Sequence, residues 1–265
     1  MRRLTRRTTV ALVGGALAVA LLAPPVDGAR ATWSAGQAVY DHLMTPPTLD
    51  TGRMPVLEVP PASDASVHRF LQVEKDGKPV TWSQCHPVRY RVDMKGAPDD
   101  FDVTIIDEAI RMVAKPTGLT FEEVGFINVG EPLTEFEFDP IEFEPPLIIG
   151  WDSDPRRRKA IEDAAGVAMP RGIEDIGGRL WWTSGEIILD ADYFGRFDEL
   201  YGLRRRPMAR SIIAHELGHI LGLDHVDHAG ELMYHFEEDA ITPLSFGPGD
   251  LAGLRRLGQG GCPRW

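Results

Sequence analysis

The chain has 265 residues, of which 43% are hydrophobic and 26% charged, a globular composition with enough apolar material for a sizeable core. Its 28 basic residues are outnumbered by 40 acidic ones, giving a formal charge of −12. That balance repels phosphate backbones and anionic lipid, so it excludes nucleic acid and acidic membrane surfaces as partners and mildly favours basic or neutral substrates.

Arg2, Arg3, Arg6 and Arg7 precede an apolar run from Val10 to Ala23, and Ala29-Arg30-Ala31 then offers a small-x-small cleavage site. Residues 1–31 therefore read as an export signal. The run is short for a membrane span, so an uncleaved anchor is the lesser alternative. Arg6-Arg7 invites a twin-arginine route, but the residues after it fit that pattern poorly. Removing residues 1–31 takes away five Arg and one Asp, leaving 23 basic and 39 acidic residues and a formal charge of −16. A secreted protein with no stable membrane association is expected. Residues 32–65 hold five Pro and little apolar periodicity, and read as a linker or short propeptide. Residues 66–265 suit one domain, expected to be monomeric.

Phe70–Lys75 and Pro79–Trp82 flank Asp76-Gly77, a hairpin signal. Cys85 is one of only two cysteines, the other being Cys262. In an exported chain an even pair predicts one disulfide, here tying the start of the domain to its C-terminus. Val88–Asp93 alternates apolar and polar residues as a half-buried strand does. Asp100 is placed to cap a helix reaching Lys115, with Ile105, Ile106, Ile110 and Val113 as its core stripe and Pro116 and Gly118 as its stop. Leu119–Val124 and Leu147–Trp151 follow as strands. Between them, Glu131–Pro145 carries six acids and no base, interleaved with Phe136, Phe138 and Phe143. It reads as an exposed edge or loop, with a calcium site as the sharper alternative. Gly166–Met169, Arg179–Trp182 and Glu186–Leu189 are further strands, the first two separated by Gly177-Gly178. Asp190 and Asp192 offer at most ligands for Ca2+ and serve equally as turn residues.

Pro207–Leu221 is the most informative helix, because it runs into His215-Glu216-Leu217-Gly218-His219-Ile220-Leu221-Gly222-Leu223-Asp224-His225. Four-residue spacing puts His215 and His219 on one helical face, about 6 Å apart along the axis, close enough to share a metal ion. Gly222 allows a left-handed exit, which can return His225 as a third ligand. Three neutral imidazoles with an open fourth position are the layout of a catalytic zinc site. Five of the eight His fall between 215 and 235, and none between 87 and 214. Pro248–Leu257 reads as a closing helix, with Asp250 near its start.

The His215-Glu216-x-x-His219-x-x-Gly222-x-x-His225 run, with Leu232-Met233-Tyr234 at the matching distance, resembles the matrixins, zinc peptidases of the metzincin clan, and among them the secreted bacterial type. The resemblance implies an α+β metzincin-like catalytic domain: a twisted mixed sheet, an active-site helix, a methionine turn under the metal at Met233, and a C-terminal helix. It implies one catalytic Zn2+ on His215, His219 and His225, with Glu216 as general base toward a zinc-bound water. It also implies protein or peptide substrates laid along a sheet edge, at Gly166–Met169 by position. Matrixins use a prosegment cysteine for latency. That motif is missing around Gln84-Cys85-His86-Pro87, so the disulfide reading of Cys85 ranks ahead. The family's structural zinc lacks its histidines here. The Pro and Tyr that matrixins place after Met-Tyr are replaced by His235 and Glu237, so cleavage preference does not carry over. His235 stands where related families place a zinc-proximal residue, although a surface His is the plainer reading. Two other functions fit the same motif: a zinc-binding module without turnover, and a zinc hydrolase acting on a non-peptide amide. An intact Glu216 argues against the first, and the methionine turn and edge strand against the second.

Overall fold

A computed structural model describes residues 64–126, 145–153, 155–161, 164–235 and 243–265. The chain divides into two units, Met1–Glu58 and Val59–Trp265, and the described residues all belong to the second. The expected export signal, nearly all of segment 32–65, the acidic stretch up to residue 144, and Glu237 lie outside the described residues. No helix among the described residues is long and apolar enough to cross a membrane.

The core is a mixed sheet built on continuous apolar strands. Leu147–Trp151 (β5) is buried at every position, as a central parallel strand must be. It pairs in parallel with Val88–Val92 (β3), which buries Val88, Tyr90 and Val92 and pairs in turn with Phe121–Phe126 (β4). On its other side β5 pairs in parallel with Leu180–Leu189 (β7). Gly166–Glu174 (β6) runs antiparallel along the whole of β7. The same β7 residues pair with β6 on one side and with β5 or Thr81–Trp82 (β2) on the other. Among the described strands β6 has no second neighbour, so it forms an edge.

Three expectations change in detail. The hairpin around Asp76-Gly77 is short: Glu74 N–H donates to Lys78 O at 2.7 Å and Val80 N–H to Gln72 O at 3.0 Å, on either side of the antiparallel bridge between Val73 and Pro79. Beyond it the flanks part: Arg69–Phe70 (β1) joins Leu223–Asp224 (β8), while β2 enters the main sheet, where Val80 and Trp82 are buried. Arg179–Trp182 and Glu186–Leu189 are joined in one strand, because Ser184 and Gly185 between them keep the ladder with β6 across an irregularity at the buried Thr183. The first long helix, Thr104–Thr117 (α1), buries the expected stripe, but Asp100 does not cap it. The N-cap is Val103, and Asp102 just before it accepts the Thr104 amide at 3.0 Å and its hydroxyl at 2.7 Å.

Three short helices have no counterpart in the sequence reading: Pro155–Ile161 (α2), Ala191–Gly195 (α3) and Phe197–Tyr201 (α4). Arg157 of α2 reaches into the sheet, donating to Asp93 at 2.8 Å, Glu186 at 3.0 Å and the Trp151 carbonyl at 3.1 Å. Asp190 is the N-cap of α3, accepting the Tyr193 amide at 2.8 Å.

Arg205–Leu221 (α5) packs against α1 and against β6 and β7. It is buried almost all round from Met208 to Leu221, so no single apolar stripe marks it. Pro248–Leu257 (α6) closes the unit. Cys85 and Cys262 form a disulfide with Cα atoms 5.5 Å apart across 177 residues of sequence.

Candidate active site

The C-terminal turns of α5 carry His215 and His219 on one face, and the chain then reverses. Gly222 takes φ +115°, which a side chain would strain, and its N–H donates back to Gly218 O and His219 O. A Cβ there would also lie 3.0 Å from Trp182 Nε1. Through this turn Leu223 pairs with Phe70, and His225 comes to face the helix.

The three imidazoles converge. His215 Nε2 lies 3.1 Å from His219 Nε2 and 3.1 Å from His225 Nε2, and the third separation is 3.2 Å. Two of the tautomers follow from backbone contacts. His215 Nδ1–H donates to Leu232 O at 2.7 Å, and His219 Nδ1–H donates to Leu223 O at 2.8 Å. A carbonyl can only accept, so in the neutral rings both Nε2 atoms present lone pairs to the same point. One proton on His225 could satisfy one of them and not both. A cation shared by all three removes the repulsion. Tetrahedral zinc with Zn–N bonds of about 2.0–2.1 Å places its ligand nitrogens about 3.3 Å apart, so the donor set fits. Burial pushes the His215 imidazole down to about 3 and His219 down to about 4. His225, more exposed, is also lowered by burial. All three are neutral donors at physiological pH. Among the described residues they are the one group of three or more His, Cys or carboxylate side chains able to hold a metal.

Glu216 is buried beside His215, and burial pushes its carboxyl up to about 8. A cation at the imidazoles opposes that shift. Its carboxylate touches Gly166, the first residue of the edge strand β6. Met233 is fully buried beneath α5, and a Cβ on Gly218 would lie 2.6 Å from its sulfur. The helix therefore rests on Met233 between the two His. Val226 N–H donates to Met233 O at 3.0 Å, which ties the His225 strand to the methionine segment.

That segment is held from below by two acids that sequence reasoning missed. Asp250 accepts the Leu232 amide at 2.6 Å, and the Met233 and Gly247 amides at 3.3 Å. Glu231 accepts the Gly249 amide at 3.0 Å and the Asp250 amide at 2.7 Å. Both side chains are buried. The clue was a Glu directly before Leu-Met in an otherwise apolar stretch.

His235 lies at the margin. Its ring centre is 6.4 Å from that of His225, and its Nδ1 is 3.7 Å from an Asp227 carboxylate oxygen. Asp190 is committed to its cap, and no group of carboxylates suited to calcium occurs among the described residues.

Fold and site together define a mixed-sheet unit with a cluster of three imidazoles whose geometry suits a metal ion. A matrixin family model matches residues 175–257, under a third of the chain but including the three His, Glu216 and Met233. No curated protein matches the chain. Among solved structures, the GM1-bound form of the ECX AB5 holotoxin is similar at 16% identity with a TM-score of 0.43, over 74% of this chain and 90% of that one. Archaemetzincin from Methanopyrus kandleri is similar at 14% identity with a TM-score of 0.37, over 64% of this chain and 95% of its own. Archaemetzincin from Archaeoglobus fulgidus, complexed with malonate, is similar at 14% identity with a TM-score of 0.32, over 63% and 99%.

Proposed function

We propose that this chain is an exported zinc-dependent endopeptidase of metzincin type, with His215, His219 and His225 as metal ligands and Glu216 as general base. The observation that carries the reading is the convergence of three neutral imidazoles beside a buried carboxylate at the start of an unpaired strand edge. When bound there, zinc supplies Lewis acidity toward a carbonyl oxygen and toward water. Glu216 takes the proton of the attacking water and delivers it to the departing amine nitrogen. An extended substrate adds a strand to β6, so that its backbone is paired while side-chain pockets select. The half-buried residues Gly166–Pro170 are the stretch of that edge beside α5. Met233 supports the ligand helix without coordinating. The disulfide between Cys85 and Cys262 supports an oxidising, extracellular setting and leaves no thiol for latency.

The test is incubation of the purified chain with denatured protein, with and without chelator, alongside Glu216→Gln. Cleavage that is lost on chelation and restored by zinc, and lost in the variant at full zinc content, is expected. Cleavage that survives chelation would refute the reading. Full zinc without turnover would leave a binding module.

A further inference from the structure

We propose that Gly166 is the positioning residue for Glu216: the missing side chain at the first residue of the edge strand is what lets the base occupy its place. This rests on the zinc-peptidase reading above. A Cβ built on Gly166 would lie 2.9 Å from Glu216 Cγ, 3.0 Å from Oε1 and 3.1 Å from Cδ. The 2.9 Å approach is closer than a Cβ accepts without movement, the other two are tighter than ordinary contacts, and all three fall on one side chain.

Backbone conformation gives no other reason for glycine here. Gly166 is not among the glycines with positive φ, so alanine is allowed at its dihedral angles. Nor can the strand back away. Gly166 is paired with the fully buried Leu189, and the carbonyl just before it, of Ala165, accepts the Asp190 amide at 3.1 Å. Glu216 is the softer partner. Among the described residues no donor holds its carboxylate, and burial is the one influence on its ionisation. The wall formed by Gly166 therefore fixes where the carboxylate sits relative to the imidazoles. A methyl group at 166 displaces the base and leaves the ligands and the sheet alone. Misplacing a reacting group by about 1 Å can cost about a hundredfold in rate.

The experiment is Gly166→Ala in the full chain, in the wild-type background and with Glu216→Ala. In the wild-type background kcat should fall by about 10- to 100-fold, with KM, zinc content and melting temperature close to wild type. In the Glu216→Ala background, where the colliding atoms are gone, the same change should cost no further residual rate. A crystal structure of the zinc-loaded Gly166→Ala variant should show the Glu216 carboxylate displaced by at least a few tenths of an ångström, and this can be read whether or not the protein cleaves peptides. An inactive wild-type enzyme would refute the peptidase reading, whereas an unmoved carboxylate would refute this one. Equal rate losses in both backgrounds, or zinc lost with the methyl group, would also overturn it.

Discussion

Glu231 and Asp250 cap each other's chain segments. The first acid, next to the methionine segment, accepts the amides that open α6, and the second, on α6, accepts the amides of Leu232 and Met233. Leu232 in turn takes the Nδ1 proton of His215 through its carbonyl. The carboxyl group of Asp250 on the last helix is thus linked to the His215 imidazole through a single peptide unit. Outer contacts of this kind set the tautomer and orientation of such ligands.

Burial first, and Glu231 second, push the Asp250 carboxyl up to about 7 from an ordinary 3.8. The folded protein holds a proton that the unfolded chain has already lost. The resulting stabilisation is complete below about pH 4 and disappears as pH rises through 7. Asp250→Asn is permanently neutral and keeps an oxygen for the Leu232 amide. Thermal melts from pH 5 to pH 8 should show it gaining on the wild type by about 5 °C. Parallel melting curves would mean that the acid is ionised throughout.

His215→Ala or His219→Ala should lose most of the zinc, as read by elemental analysis of dialysed protein. In the chelated wild type, imidazoles held down to about 3 and about 4 stay neutral in the folded state where the unfolded chain, near 6.5, takes up protons. That part of the stability is present above about pH 6.5 and is lost as pH falls toward 3. Chelated protein should therefore melt lower with each step into acid, and His215→Ala should flatten the trend. Full zinc in both variants would remove the basis of the site.

The convergence of His215, His219 and His225 was legible in the sequence because it is local. Two His one helical turn apart, a Gly that must exit left-handed and a His three residues later fix the geometry with few other contacts. The parts that were not legible depend on distant partners. Arg157 sits in a helix whose sequence, Pro-Arg-Arg-Arg-Lys-Ala-Ile, looks like a solvated basic run, yet its guanidinium is buried between Asp93 and Glu186. Thr183-Ser184-Gly185 looked like a break between strands and is instead the middle of β7, because β6 covers it. Asp100 was the expected cap, but the path of the backbone into α1 brings Asp102 to the Thr104 amide instead.

His235 should tune the site without being required. It is partly exposed, with its Nδ1 3.7 Å from an Asp227 carboxylate oxygen and its ring edge-on to His225 at 6.4 Å between centres. His235→Ala is expected to keep zinc and to lose less than about tenfold in kcat, equivalent to about 1.4 kcal/mol. Collapse of zinc content would make it a fourth ligand.

Thiol titration of the unfolded, unreduced chain should find no free thiol. Cys85→Ser with Cys262→Ser should lower stability by about 2–5 kcal/mol in denaturant unfolding, since the closed loop is long. Two titratable thiols in the purified, unreduced protein would overturn the pairing.

The same crosslink has a consequence for proteolysis of this chain. It joins positions 85 and 262, so a single backbone nick anywhere between them releases no piece of the unit. Nicked molecules should co-migrate with intact ones on a non-reducing gel and separate into fragments once reductant is added.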